Sequence, residues 1–137
     1  MVGVSWHEAS AYARWAGKEL PSLGQWYRAA LGAQLSAFPW GNEVKTIDVR
    51  ANFSVLDTRP VGSYPLGISP FGCFDMAGNV REWLRDMSQA GERRKVVGGS
   101  FQDPTYMFEP EHAESFDPLF ANETIGFRCA MPAANGP

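Results

Sequence analysis

The chain opens with a helical pattern of polar and apolar residues. Ser5 and Glu8 have the spacing of a capping box. Apolar residues then recur on one helical face before a glycine stop, at Trp6, Ala9, Ala13, Ala16 and Gly17. The pattern predicts a helix of about three turns.

A second helix is predicted directly after the first. Ser22 and Gln25 repeat the capping-box spacing, and Leu20-Pro21 joins the two helices. An apolar stripe follows and ends at a glycine: Leu23, Trp26, Tyr27, Ala30, Leu31 and Gly32.

Beyond Trp40 the helical period disappears, and glycine and proline punctuate the chain as far as Gly72. The later pattern predicts a short helical turn at residues 80–84 and two short buried strands at residues 95–100 and 125–131. Residues 101–124, between these strands, have no clear period. Loops of this length in compact domains are usually functional or mobile.

Composition agrees with one folded domain that is rich in turns. The 137 residues are 45% hydrophobic and 13% aromatic, with 14 glycines and 10 prolines. These values are far from the composition of a disordered chain, and the turn-formers argue against a helix bundle. We expect one α+β domain over residues 1–132 and a short tail over residues 133–137.

Charge and hydropathy limit the classes of partner that we expect for the chain. A net charge of -3 without a basic stripe makes nucleic acid an unexpected partner. No apolar run reaches the ~20 residues of a membrane span, and the N-terminus does not resemble a signal peptide, so we expect no membrane contact and leave the compartment open. Residues 96–127 contain no Lys or Arg, which would suit a cation or a basic ligand, although a solvated loop has the same composition.

The residues that most often bind transition metals are few. Cys73 and Cys129 could form one disulfide or remain two buried thiols. His7 and His112 lack the spacing of a zinc site and are expected on a helix surface and in a loop.

Four ordered segments together resemble the formylglycine-generating enzyme (sulfatase-modifying factor) family. They are Val4-Ser5-Trp6-His7-Glu8-Ala9 with Trp15-Ala16-Gly17-Lys18, Leu20-Pro21-Ser22 through Trp26 to Phe38-Pro39-Trp40-Gly41, Phe74-Asp75-Met76-Ala77-Gly78-Asn79-Val80-Arg81-Glu82-Trp83, and Gly98-Gly99-Ser100-Phe101 with Gly126-Phe127-Arg128-Cys129. The resemblance implies a C-type-lectin-like fold. The family's usual N-terminal portion does not precede the Val-Ser-Trp motif, so we expect either a minimal member or part of a longer protein.

Residues 98–108 are similar to the version of this domain that is fused to bacterial Ser/Thr protein kinases. That likeness implies an appended module, with a fused or partner Ser/Thr kinase.

The resemblance also tests for oxidase chemistry. The family's oxidase places two copper-binding cysteines three and eight residues after the serine that matches Ser100, and here Asp103 and Phe108 stand in those positions. We therefore expect no copper and no formylglycine-generating activity, with Asp103-Pro104 as a turn and Phe108 in the core.

A structural calcium ion is implied by the same family. The matching ligands are the side chains of Asn79 and Glu82, with backbone oxygen from the Val80 region. The alternative is that Asn79 caps a helix and Glu82 pairs with Arg81, Arg85 or Arg128. A second family calcium site is degraded, because Asn52 survives with only Asp57 as a poor partner.

The family builds its substrate groove at positions that match Trp83, Ser100, Phe101, Asp103 and Tyr106, although tryptophans are most simply core residues. We therefore expect a non-catalytic lectin-like module that binds a peptide, a glycan or a small molecule. One alternative is an enzyme whose acid-base groups are Asp103, Ser100 or Tyr106. Another is a variable binding protein that is diversified in residues 101–124.

Overall fold

Two α-helices and a four-stranded sheet carry the fold in the computed structural model, which describes residues 1–34 and 36–132. The helices are α1 (Trp6–Trp15) and α2 (Leu23–Leu31), and the strands are β1 (Arg81–Met87), β2 (Arg94–Val97), β3 (Glu114–Phe116) and β4 (Ile125–Gly126). Short 3₁₀ helices lie at Ile47–Val49, Pro65–Gly67, Thr105–Phe108 and Pro110–His112. The predicted tail at residues 133–137 lies outside the described residues.

Both predicted helices are confirmed, together with their caps. The Ser5 hydroxyl accepts a hydrogen bond from the Glu8 amide at 3.2 Å, and the Glu8 carboxylate accepts one from the Ser5 amide at 3.0 Å. Ser22 and Gln25 make the same reciprocal pair. Each box satisfies two backbone donors that a helix N-terminus would otherwise leave unpaired.

The helical turn predicted at residues 80–84 is wrong, because residues 81–84 belong to strand β1. Strand β1 lies between β2, with which it is antiparallel, and β4, with which it is parallel, in the order β3-β2-β1-β4. Trp83 and Leu84 are both fully buried, so the strand is covered on both faces and shows no polar-apolar alternation. A short buried strand of this kind has the same local pattern as a helical turn.

The sheet separates two hydrophobic clusters because successive strand residues point to opposite faces. On one face, Trp83, Val96 and Ile125 pack with Ala9 and Ala13 of α1. On the other face, Leu84 and Val97 pack in the cluster that contains Trp26 and Ala30 of α2. Each helix therefore covers its own side of the central strand.

The remaining predicted strands are shorter than expected. Strand β2 takes only the first part of the predicted 95–100 segment, and β4 contains two residues of the predicted 125–131 segment. Residues 101–124 are more ordered than predicted, since they contain two 3₁₀ helices and strand β3. Within residues 1–34 and 36–132, no helix has the length and apolar character needed to cross a bilayer.

Candidate functional site

Asp103 stands at the first of the two positions where the family's oxidase has cysteine. Its Oδ2 accepts a hydrogen bond from the Ser100 amide at 2.7 Å and one from the Ser100 hydroxyl at 2.9 Å. These bonds close the turn that follows the two glycines at residues 98–99. The prediction that Asp103 is a turn residue is confirmed.

Phe108 stands at the second position and lies in the core, with 1% of its surface exposed. Its ring is 6.0 Å from that of Trp26, 5.8 Å from that of Tyr27 and 5.7 Å from that of Phe38, measured between ring centroids. The predicted core position is confirmed. Both positions that hold cysteine in the family's oxidase therefore stabilise the fold in this chain.

The five residues predicted to form a ligand groove do not share one open surface. Trp83, Ser100 and Phe101 are 0%, 0% and 3% exposed, and the Trp83 indole donates a hydrogen bond to the Val4 carbonyl. These three side chains belong to the interior and cannot wall an open groove. Tyr106 is half exposed, with its ring edge against His112, and Asp103 is partly exposed.

Arg81 connects the Ser100 turn to the sheet. Its Nη1 lies 3.1 Å from a carboxylate oxygen of Glu114, and its Nη2 donates to the Thr124 hydroxyl at 2.6 Å. Its Nε is buried, lies 3.8 Å from Asp103 Oδ2, and has no hydrogen-bond partner among the described residues. The guanidinium of Arg81 therefore lies beside the hydrogen-bonded pair of Ser100 and Asp103. Ser100 itself is fully buried.

Glu82, one of the predicted calcium ligands, is buried in an ion pair with Arg128. One carboxylate oxygen accepts from Arg128 Nε and from the Trp26 indole, both at 2.7 Å, and the other accepts from Arg128 Nη2 at 2.8 Å. Burial alone would lower the pKa of Arg128, but the charge and hydrogen bonds of Glu82 outweigh it and raise that pKa.

Asn79, the second predicted ligand, fastens a loop instead. The residue is buried in the left-handed backbone region at φ 68°. Its Oδ1 accepts from the Arg59 amide at 2.9 Å and from Asn52 Nδ2 at 3.1 Å, while its Nδ2 donates to the Arg59 carbonyl at 3.1 Å. Asn52 also donates to the Asp57 carbonyl and accepts from the Tyr64 hydroxyl, so residues 57–64 are fixed to the core.

These residues, as arranged, do not fit a calcium ion. Both oxygens of Glu82 and the Oδ1 of Asn79 already accept hydrogen bonds, which leaves the predicted backbone oxygen of the Val80 region without free side-chain partners. No group of three or more His, Cys, Asp or Glu side chains suited to a metal occurs within residues 1–34 and 36–132. Calcium needs six to eight oxygen ligands, so this arrangement supplies too few. Calcium binding stays a prediction that the resemblance alone carries.

The two cysteines are free thiols on opposite sides of the sheet, which decides between the two alternatives that the sequence left open. Cys73 packs against the cluster on the α2 side, and Cys129 packs against the cluster on the α1 side. Burial raises the pKa of Cys129, against a smaller opposing effect of Lys18. A thiol held in its protonated form is a poor metal ligand.

A cleft of about 480 Å³ lies beside the Glu82 and Arg128 pair, and sequence reasoning missed it. Four separate segments line it: residues 1–2, 58–61, 74–82 and 127–128. Side chains hold one wall at both ends, because Asn79 anchors Arg59 and Asp75 Oδ2 accepts from the Gly62 amide at 2.8 Å. We name this site the Arg59 cleft. A second depression, which includes Tyr12, Lys18 and Cys129, adjoins it through residues 127–128.

The fold defines the class of protein. The structure of PvdO from Pseudomonas aeruginosa matches with a TM-score of 0.80 over 92% of this chain and 59% of that chain, at 22% sequence identity. A likeness at this low identity shows the fold, which is C-type-lectin-like as predicted. Residues 1–133 match the model of the sulfatase-modifying factor enzyme 1-like domain. The chain therefore belongs to the formylglycine-generating enzyme and sulfatase-modifying factor family.

Two relatives of this chain differ in kind: one is a protein kinase and the other is an inactive enzyme. The chain is 39% identical over 149 residues to the serine/threonine-protein kinase Pkn1 of Chlamydia trachomatis, covering 95% of this chain and 24% of the kinase. It is 32% identical over 157 residues to the inactive C-alpha-formylglycine-generating enzyme 2 of Bos taurus, covering 100% of this chain and 52% of that protein. The chain thus spans about a quarter of the first relative and about half of the second. The likeness to the kinase-associated version is confirmed.

Proposed function

We propose that the chain is a non-catalytic binding module with a regulatory role. One observation carries this proposal: the two positions that would supply copper thiolates hold a turn and a core ring. Asp103 closes the Ser100 turn with two hydrogen bonds, and Phe108 is buried among Trp26, Tyr27 and Phe38. Neither side chain has the soft sulfur that binds copper(I).

The Arg59 cleft is the ligand site in this proposal. Its volume falls in the range of small-molecule sites, and its lining combines apolar walls with a few polar groups. Side-chain hydrogen bonds from Asn79, Asp75 and Arg128 fix the backbone of the lining segments, which limits the entropy that a ligand must offset on binding.

The regulatory part of the proposal rests on the relatives. A domain that matches a portion of a Ser/Thr protein kinase supports a role as an attached or partner module of such a kinase. A relative that is named an inactive formylglycine-generating enzyme supports a use of the same scaffold without the oxidase chemistry.

The alternative of an enzyme with altered chemistry finds less support. Ser100 and Asp103 are hydrogen-bonded to each other, but a catalytic group must reach its substrate, and Ser100 is 0% exposed. Tyr106 is exposed, and its ring packs against that of His112 within residues 101–124.

A direct assay tests the non-catalytic proposal. The purified chain is incubated with a sulfatase-derived cysteine peptide, copper(I) and oxygen, and the peptide mass is followed beside an active formylglycine-generating enzyme. We expect no conversion by this chain. We also expect copper(I) affinity equal to that of a Cys73→Ser/Cys129→Ser variant. Conversion of the peptide, or tight copper binding that the variant loses, would overturn the proposal.

A further inference from the structure

We propose that the Arg59 cleft binds a small zwitterion with an apolar body, a free amino acid with an apolar side chain being the simplest example. This inference rests on the proposed binding function and names the ligand class for its site.

The charges that line the cleft come in two kinds. Glu82 and Arg128 neutralise each other through their short double contact. Arg59 and Asp75 remain, and neither forms a salt bridge within the part of the chain that the structure describes. Among the side chains that line it, the cleft therefore presents one unpaired cation and one unpaired anion.

Hydrogen bonds hold the backbones of both Arg59 and Asp75 in place. The Arg59 amide and carbonyl are bonded to the side chain of Asn79, while its guanidinium has no hydrogen-bond partner among the residues described. The Asp75 carbonyl accepts from Arg128 Nη2 at 3.2 Å, and its Oδ2 accepts from the Gly62 amide, which leaves Oδ1 free. The backbones of both residues and the Asp75 carboxylate are thus set before a ligand arrives, whereas the exposed Arg59 side chain is ordered only when a ligand binds.

The rest of the lining is apolar. The side chains of Val2, Val61, Phe74 and Phe127 line the same cleft, and Phe74 is 38% exposed. Apolar walls of this kind gain from covering a hydrocarbon or aromatic side chain. Together with the two charges, they match a molecule that carries one carboxylate, one ammonium group and one apolar side chain.

A ligand with a single charge would match the cleft less well. It would cover either Arg59 or Asp75 without giving it a partner, and a charge that loses water without gaining a partner opposes binding. A charge-assisted hydrogen bond is stronger than a neutral one, so each missing charge should weaken binding by about tenfold or more.

The test compares three molecules of similar size against the full chain by calorimetry and by NMR: L-phenylalanine, 3-phenylpropanoate and 2-phenylethylamine. We expect phenylalanine to bind at least about tenfold more tightly than either analogue. Chemical shift changes should concentrate on the amides of residues 58–59, 61–62, 74–75 and 127–128.

Two variants assign the charges. Arg59→Gln should remove the preference for phenylalanine over 2-phenylethylamine, and Asp75→Asn should remove the preference over 3-phenylpropanoate. Asn keeps an acceptor for the Gly62 amide and tolerates the φ of 55° at this position, so the Asp75→Asn variant should fold. Arg14→Gln, on the exposed surface of α1, is the matched control and should change nothing.

Equal or tighter binding of a singly charged analogue, or no binding of any of the three, would overturn this inference. Binding of all three with equal affinity would leave the binding function standing and remove only the ligand class. Conversion of the cysteine peptide in the activity assay would remove the non-catalytic proposal and would not affect the ligand class.

Discussion

At the scale of single residues, the ion pair of Glu82 and Arg128 joins strand β1 to the segment that follows β4. Glu82 is 4% exposed and receives three hydrogen bonds, two of them from one guanidinium. Each partner needs the other, because removing one leaves a buried charge without compensation. An uncompensated buried charge destabilises the folded protein strongly.

Removal of the guanidinium should therefore be strongly destabilising. We expect Arg128→Met to lower the free energy of unfolding by about 3–5 kcal/mol, since it leaves the Glu82 carboxylate buried and uncompensated. Denaturant unfolding measures the change. The matched control is Arg85→Met, which breaks the exposed pair with Glu19 and should lower stability by about 0–1 kcal/mol. Equal effects of the two substitutions would contradict this account.

Tyr27 provides a prediction about pH. Burial, helped by the charges of Glu111 and Glu109, raises its pKa well above the ordinary value of 10.0. Above that value the unfolded chain loses the tyrosine proton while the folded chain keeps it, so the unfolded state binds fewer protons and stability falls as pH rises. The contribution is complete below pH ~10 and is lost progressively above it.

The variant Tyr27→Phe separates this effect from the hydrogen bond that the hydroxyl donates to the Phe108 carbonyl at 2.7 Å. We expect a loss of about 1 kcal/mol at pH 7 and a shallower fall in stability above pH ~10. Thermal unfolding at several pH values measures both. The exposed Tyr12→Phe serves as a control that should leave the pH profile unchanged. An unaltered profile in Tyr27→Phe would sink the assignment.

At the scale of elements, Gly78 allows the backbone just before strand β1 to pack closely against the backbone of Asn52. Gly78 has φ +74°, and a Cβ at this position would lie 2.7 Å from the Asn52 carbonyl oxygen. The same backbone stretch makes a parallel bridge with Asn52. The close approach leaves no room for a side chain, because the obstructing atom belongs to the backbone.

We expect Gly78→Ala to lower stability by more than Gly62→Ala does. Both glycines have positive φ, so both substitutions carry a strain of about 1 kcal/mol, but Gly62 has nothing within 4 Å of its would-be Cβ. Only the Gly78 change adds a steric clash. Urea midpoints of the two variants measure the difference. Equal losses would show that the backbone at Asn52 yields without resistance.

Local patterns predicted some of these elements and missed others for physical reasons. The helices follow from capping boxes such as Ser5 with Glu8, which act within one turn of chain. Strand β1 could not be recognised in the same way, because its identity depends on partners in β2 and β4 that lie far away in sequence. Strand β3 is an edge strand whose three residues are only half-buried, so it carries no pattern of its own.

At the scale of the whole molecule, the calcium prediction can be tested through stability, because Arg128 and the indole of Trp26 already donate to the Glu82 carboxylate. We expect the same melting temperature, within about 1 °C, in calcium and in a chelator, since only a ligand that binds the folded state raises it. A clear calcium-dependent rise that Glu82→Gln abolishes would contradict this expectation. It would show that Arg128 gives up the carboxylate to the metal, as the family resemblance implies.

The amino-acid sequence by itself determined the family, the two capped helices, and the absence of cysteine at the positions of Asp103 and Phe108. Each of these is written in neighbouring residues or in fixed spacings. Only the tertiary structure decided where Trp83 lies, which partner Glu82 takes, and that a cleft exists beside Arg59. The reason is that burial and ion pairing depend on contacts between segments that are distant in the chain. The cleft joins four such segments, and no pattern within any one of them encodes the others.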